Sequence, residues 1–209
     1  MIVAKFGGTS VGTIKKIKKV AKIITDHKKN NYKVIVVSSA MSGVTNELIK
    51  KSIEISNNFS KSEYDVLVSS GEQIACSLIA GSLCHNGYKA RSWLSWQVPI
   101  FTVGTHMNSR INQINKNKII KYLKQGGIPI IAGFQGVNNE NRITTIGRGG
   151  SDASAIMFAK FFKAEKCIIY TDVDGVYTTD PNKLKKAKKI KIISYEEMLE
   201  MASLGAKVM

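Results

Sequence analysis

The first apolar run, Ile2–Phe6, ends in Gly7 and Gly8 and predicts a short buried strand closed by a tight turn. Beyond it Ile14, Ile17, Val20, Ala21 and Ile24 recur at helical spacing between lysines. Lys33–Ser38 predicts a second buried strand, followed by a small-residue loop, Ser39–Gly43, and a helix over Thr45–Ile55. Asn57–Ser62 reads as a polar loop, and Gly71–Leu83 as a helix closed by His85-Asn86-Gly87. Tyr88–Leu94, Ile128–Ala132 and Lys166–Thr171 predict strands, Arg142–Ile146 an extended stretch, and Ile190–Ile193 a last strand. Helices are expected over Ala153–Phe162, with Ser151 and Asp152 as caps, and over Tyr195–Leu204. Strands alternating with helices imply a mostly parallel sheet covered on both faces, which binds ligands at the carboxyl ends of its strands. The glycine-rich and acidic segments all follow predicted strands, and that placement is the residue-level argument for an enzyme.

At 209 residues the chain supplies one sizeable core, and 44% hydrophobic residues fit a globular protein. No apolar run is read as membrane-spanning and the amino terminus has no signal-peptide pattern, so a cytoplasmic protein is expected. Cys76, Cys84 and Cys167 are widely spaced without a CxxC, which predicts buried reduced thiols rather than disulfides or a zinc site. The net charge of +16 comes almost wholly from lysine. Spread lysines without interleaved aromatics read as solvated faces, against a nucleic-acid surface, and their positive field attracts anionic substrates.

Three segments carry chemistry. In Lys5-Phe6-Gly7-Gly8-Thr9-Ser10 a lysine at a strand end, two glycines and two hydroxyls make an anion cradle, with a simple strand-to-helix turn as the bland alternative. It is not a Walker loop, and no GxGxxG is present. In Gly147-Arg148-Gly149-Gly150-Ser151-Asp152 the arginine is flanked by glycines, open for a bidentate grip on a carboxylate. Tyr170–Pro181 holds three aspartates between aromatic rings, suited to a nucleotide or to a hairpin with solvated acids. Glu72 reads as a helix-start residue complementing the dipole, or as a partner for a substrate ammonium. His106 reads as structural or exposed, and Trp93 and Trp96 as packing.

In order and spacing, KFGGTSVG at 5–12, SSGEQ at 69–73, GRGGSDASA at 147–155 and TDVDGVYTTDP at 171–181 resemble the aspartate kinase branch of the amino acid kinase family. The resemblance implies a three-layer αβα sandwich around a mainly parallel sheet of about eight strands. It implies transfer of a phosphoryl group from ATP to the side-chain carboxylate of L-aspartate, feeding lysine, diaminopimelate, threonine and methionine synthesis. Lys5 and Asp152 match catalytic positions. Thr45, Glu72, Arg148, Ser151 and Asp152 match aspartate-binding positions. Lys5, Gly7, Gly8, Ser10, Thr171, Asp172, Tyr177 and Lys207 match ATP-binding positions. No protein metal ligands are expected, with Mg²⁺ held through the ATP phosphates. Asn182 stands where the family commonly has an arginine.

The pattern stops at Met209, where the family continues into further helices and paired ACT domains. The expectation is one kinase domain, 1–209, truncated at its carboxyl end. It would work as a homo-oligomer or with a partner chain, without nucleic acid or membrane. The alternatives are a non-catalytic remnant, an enzyme acting on another acidic amino acid, or, from charge alone, a nucleic-acid binder.

Overall fold

The computed structural model describes residues 1–147, 149–173, 175–179, 183–194, 197 and 201. The chain divides into two compact units, Met1–Tyr170 and Thr171–Met209.

In the first unit, β1 (Ile2–Phe6), β2 (Val34–Ser38), β3 (Ala90–Trp93), β6 (Ile128–Ala132) and β9 (Lys166–Tyr170) form one parallel sheet in the order β3-β6-β2-β1-β9. Buried strands alternate their side chains between two apolar layers. Ile2, Ala4, Phe6, Val34, Val36, Ile128 and Ile130 pack against α1 (Ile14–Lys29) and α3 (Lys61–His85). Val3, Ile35, Val37 and Ile131 face α4 (Asn117–Lys124) and α5 (Gly150–Phe162) through Ile119, Leu123, Ala155 and Phe158. The result is a three-layer α/β sandwich with a parallel central sheet, as expected. In α1 the periodic residues Ile17, Val20, Ala21 and Ile24 are buried while Lys15, Lys18, Lys19 and Lys22 are exposed.

The central sheet has five strands among the described residues, not eight. Phe134, in the left-handed region at φ 64°, turns the chain away after β6. A second sheet follows, in the order β5-β4-β7-β8, from β4 (Ile100–Thr105), β5 (Asn108–Ile114), β7 (Gln135–Val137) and β8 (Ile143–Thr145). The β4–β5 hairpin, β7 and α4 were not expected from sequence.

Other expectations are corrected. The helix expected to begin at Gly71 begins at Lys61 and, with α2 (Val44–Ile55), fills most of the stretch to His85. An 18-residue span within it has a mean hydropathy of 1.3, long and apolar enough by length and composition to cross a membrane. Half of that span is buried inside the protein, with Ala75, Cys76, Ile79 and Leu83 in the sheet-facing core. Of the cysteines only Cys76 is buried; Cys84 and Cys167 are exposed. Helix α5 is capped by Gly149 with no side-chain bond, so Ser151 and Asp152 lie inside its first turn and do not cap it.

Within the second unit Tyr177 bridges Lys189 in antiparallel fashion, Thr178 N–H donates to Lys188 O and Ile190 N–H donates to Val176 O. Ile190–Ile193 is not a strand. The expected helix over Tyr195–Leu204 lies almost wholly outside the described residues.

Candidate active site

A cavity of about 310 Å³ opens at the carboxyl ends of β1, β2 and β6. Parallel sheets leave such a crevice where connections depart in opposite directions, and here β2 and β9 flank β1 on its two sides. The lining comes from three loops and three helices. Lys5 and Gly8 come from the end of β1, Ser39–Gly43 from the loop after β2, and Phe134 from the turn after β6. Thr45 and Glu72 come from α2 and α3, and Gly149–Asp152 from the start of α5.

Lys5 shares its sheet face with Val3, which packs towards α5. Its ammonium is thereby carried to the first turn of that helix, where Nζ lies 2.8 Å from Asp152 Oδ1. Both side chains are largely buried, at 8% and 17% exposure. Asp152 Oδ1 accepts no well-directed hydrogen bond, so the contact is a charge contact with unused acceptor capacity.

Glu72 lies about three turns into α3, not at its start, which removes the helix-dipole reading. Oε1 accepts from Ala40 N–H at 3.1 Å, whereas Oε2 is buried with no partner. Burial pushes the carboxyl up to about 7, against the lowering effect of the Ala40 bond. A buried carboxylate oxygen with no donor is costly unless a ligand completes it. The helix can approach because residue 71 is glycine: a Cβ there would come within 2.9 Å of Ala40 Cβ.

Backbone donors converge on the same crevice. The Gly7 amide donates to Tyr170 O and the Ser10 amide to Gly7 O, so these two hold the loop's shape. Ser10 Oγ also reaches Tyr170 O, at 3.4 Å. The amides of Gly8 and Thr9 have no acceptor among the described residues. Gly8 passes so near Ala40 O that a Cβ would meet it at 2.9 Å. In α5 the amides of Asp152 and Ala153 donate to Gly149 O, while those of Gly150 and Ser151 have no acceptor among the described residues. A first helical turn without a side-chain cap leaves its donors to an anion. Gly150 is pressed against Phe134, with 2.6 Å between a Cβ there and Phe134 Cδ2. Ser154 ties the two together, accepting from Phe134 N–H and donating to Gly150 O.

The structure thus brings Lys5, Gly8, Thr45, Glu72, Ser151 and Asp152 to one cavity, with Gly7 and Ser10 in the loop beside it. Arg148 and Lys207 lie outside the described residues, as do Asn182, Asp174 and Asp180. Thr171, Asp172 and Tyr177 belong to the second unit, where Thr171 Oγ1 donates to Asp172 Oδ1 at 3.0 Å. Ser39, Ala40, Met41, Ser42 and Phe134 line the cavity without having been singled out. The signal available for the first four was a run of small residues straight after a buried strand.

The parallel α/β sandwich sets the fold class, and the sequence sets the family within it. The chain belongs to the amino acid kinase family, whose model matches residues 1–209. It is 51% identical over 212 residues to a protein named aspartokinase from Rickettsia felis, covering 100% of this chain and 53% of that protein. It is 52% identical over 209 residues to an aspartokinase from Geobacillus stearothermophilus, covering 100% of this chain and 51% of that one. Its fold matches the crystal structure of E. coli aspartokinase III in complex with aspartate and ADP, with a TM-score of 0.88 and 29% identity, over 100% of this chain and 57% of the other. The chain spans about half the length of the curated relatives it matches.

Proposed function

We propose that residues 1–209 are an amino acid kinase domain that transfers the γ-phosphoryl group of ATP to the side-chain carboxylate of L-aspartate. The observation that carries this reading is the pairing of Lys5 with Asp152 in a cavity that also holds the unpartnered Oε2 of Glu72. An amino acid substrate supplies the ammonium that such an oxygen lacks. The relatives named aspartokinase support aspartate as that amino acid.

An ionised carboxylate is already a nucleophile, so the reaction needs no general base. Its oxygen bonds to the γ-phosphorus while the bond from that phosphorus to the β,γ-bridging oxygen breaks, and ADP leaves with the electron pair. The obstacle is bringing two anions together, and the protein's task is positioning and charge stabilisation. Lys5 serves the transferring phosphoryl group, with the amides of Gly8, Gly150 and Ser151 as further donors. Asp152 orients the Lys5 ammonium. Glu72 takes the substrate ammonium, Arg148 a carboxylate, and Thr45 and Ser151 add hydroxyls. Gly7 and Ser10 shape the loop on the ATP side, and Thr171, Asp172, Tyr177 and Lys207 are assigned to ATP.

Among the described residues no group of three or more His, Cys, Asp or Glu side chains is placed to hold a metal ion. Mg²⁺ is assigned to the ATP phosphates, where it neutralises charge. The same reading carries a cytoplasmic location and a role in amino-acid biosynthesis. The test is ADP release by the purified chain with ATP, Mg²⁺ and either aspartate or glutamate. Aspartate-dependent ADP release supports the reading, and none with any acidic amino acid returns the chain to a non-catalytic role.

A further inference from the structure

Asp65 lies outside the cavity lining and is fully buried on α3. Every donor to its carboxylate comes from a distant part of the chain. His106 Nδ1 donates at 2.6 Å, Met107 N–H donates at 3.1 Å to both oxygens, and Thr145 Oγ1 donates to Oδ1. His106 and Met107 form the tip of the β4–β5 hairpin, with Met107 in the left-handed region at φ 69°. Thr145 is the last residue of β8, two before Gly147. A bulky non-glycine residue rarely holds that conformation unless its surroundings fix it. Here the Asp65 oxygens on its amide do so.

The hairpin tip in turn meets the start of the segment that leads into α5. Ser109 bridges Ile146 in parallel fashion. Asn108 Oδ1 lies so near Gly147 that a Cβ there would come within 2.8 Å. One buried carboxylate therefore fastens both the strand before segment 147–152 and the hairpin that abuts its first residue. Asp65 also stands seven residues, or two helical turns, before Glu72, on the same face of α3. A buried charge needing this many donors adds less stability than an apolar residue of similar size would, but it fixes direction.

We propose that Asp65 and His106 are positioning residues for the amino acid substrate. By setting the hairpin tip against Gly147, they hold the start of α5, with Ser151 and Asp152, at a fixed distance from Glu72. This inference rests on the reading of the cavity as an amino acid site.

The test uses the full chain with His106→Leu, which removes the donor, and His106→Asn, which restores an N–H near Nδ1. Asp65→Asn serves as a second probe where it folds. Turnover is corrected for folded fraction, and hydrogen exchange is followed over residues 146–155. In His106→Leu the KM for aspartate is expected to rise about ten-fold, while that for ATP stays within about two-fold. Exchange over 146–155 is expected to quicken, and His106→Asn to recover most of both effects. Unchanged aspartate KM and unchanged exchange in His106→Leu overturn the proposal. So does a loss of kcat that only tracks the folded fraction. A wild-type chain that does not use aspartate refutes the functional reading instead. In that case the exchange arm alone decides the positioning claim, local loosening supporting it and unaltered protection overturning it.

Discussion

Lys5 Nζ and Asp152 Oδ1 stand 2.8 Å apart, joining the first strand of the sheet to the first turn of α5 across 147 residues of sequence. Strand β1 supplies a largely buried positive charge, and α5 holds it in place from the opposite wall of the cavity. Lys5→Ala is expected to lower kcat about 10²–10³-fold at saturating substrate while the circular dichroism spectrum stays native. Turnover near the wild-type level would remove Lys5 from the reaction.

The Glu72 carboxyl gives the fold a pH dependence of definite sign. Burial raises it from 4.5 to about 7 in the folded chain. Between those values the folded state binds more protons than the unfolded one, so stability falls as pH rises through the window and levels off above it. The largest possible loss is about 3 kcal/mol. Glu72→Gln keeps an acceptor for Ala40 N–H and abolishes the slope, so its melting temperature is expected to exceed that of the parent at pH 8 and to approach it at pH 4.5. Parallel curves for the two proteins would contradict the assignment.

Gly150 has no room for a side chain, since a Cβ there would sit 2.6 Å from Phe134 Cδ2 and 3.0 Å from Ile146 Cβ. Gly150→Ala is expected to cost about 1–3 kcal/mol in urea denaturation, because Phe134 or the helix start must move. Gly149→Ala meets no atom, yet φ is 75° there, so it is expected to cost about 1 kcal/mol through backbone strain alone. Equal behaviour of the two variants in activity assays would show that the helix start does not matter to the cavity.

Arg148→Lys keeps the charge and loses the fork. The KM for aspartate is expected to rise about ten-fold with little change for ATP. Equal rises in both constants would place Arg148 elsewhere.

The thiols report the correction made to the cysteines. Cys84 is expected to react with iodoacetamide in the native state, and Cys167 more slowly, since its thiol, though in an exposed residue, is partly shielded from water, which raises its pKa, with the Asp152 carboxylate adding to the rise. Cys76 is buried and raised well above the ordinary thiol range by its surroundings, and is expected to react only in denaturant. Mass spectrometry of the labelled peptides distinguishes the three.

The central sheet was legible because its strands are apolar on both faces, and β1, β2, β6 and β9 stand out as runs. In α3 and the second sheet, what escaped has a common cause: buried positions filled by polar side chains. The amino-terminal half of α3 reads as polar, yet Asp65, Ser69 and Glu72 lie buried on one face, where the Asp65 and Glu72 carboxyls accept from Thr145 Oγ1 and Ala40 N–H and the Ser69 carbonyl accepts from Gln135 Nε2. In the β4–β5 hairpin the inward residues include Thr102 and Ser109, and Thr102 Oγ1 pairs with Thr144 Oγ1 at 2.6 Å. A pattern of apolar residues cannot reveal an interior made of hydroxyls. Around the cavity, sequence named Lys5, Glu72 and Asp152, while the Ser39–Gly43 loop drew notice only as a connection. Ala40 matters there through its amide and carbonyl, which no side-chain pattern records.

The register of β9 against β1, Ile2 beside Lys166 through Phe6 beside Tyr170, also governs the order in which the molecule is completed. Strand β1 gains its second neighbour only after more than 150 further residues have been made. At elongation rates of about 5–20 residues per second that interval is roughly 10–30 s. Until then one edge of β1 has unpaired backbone groups, and the Gly7 amide lacks its Tyr170 acceptor. The Gly7–Gly8 loop is therefore among the last parts of the first unit to take shape, although it precedes every other loop of that unit in the sequence.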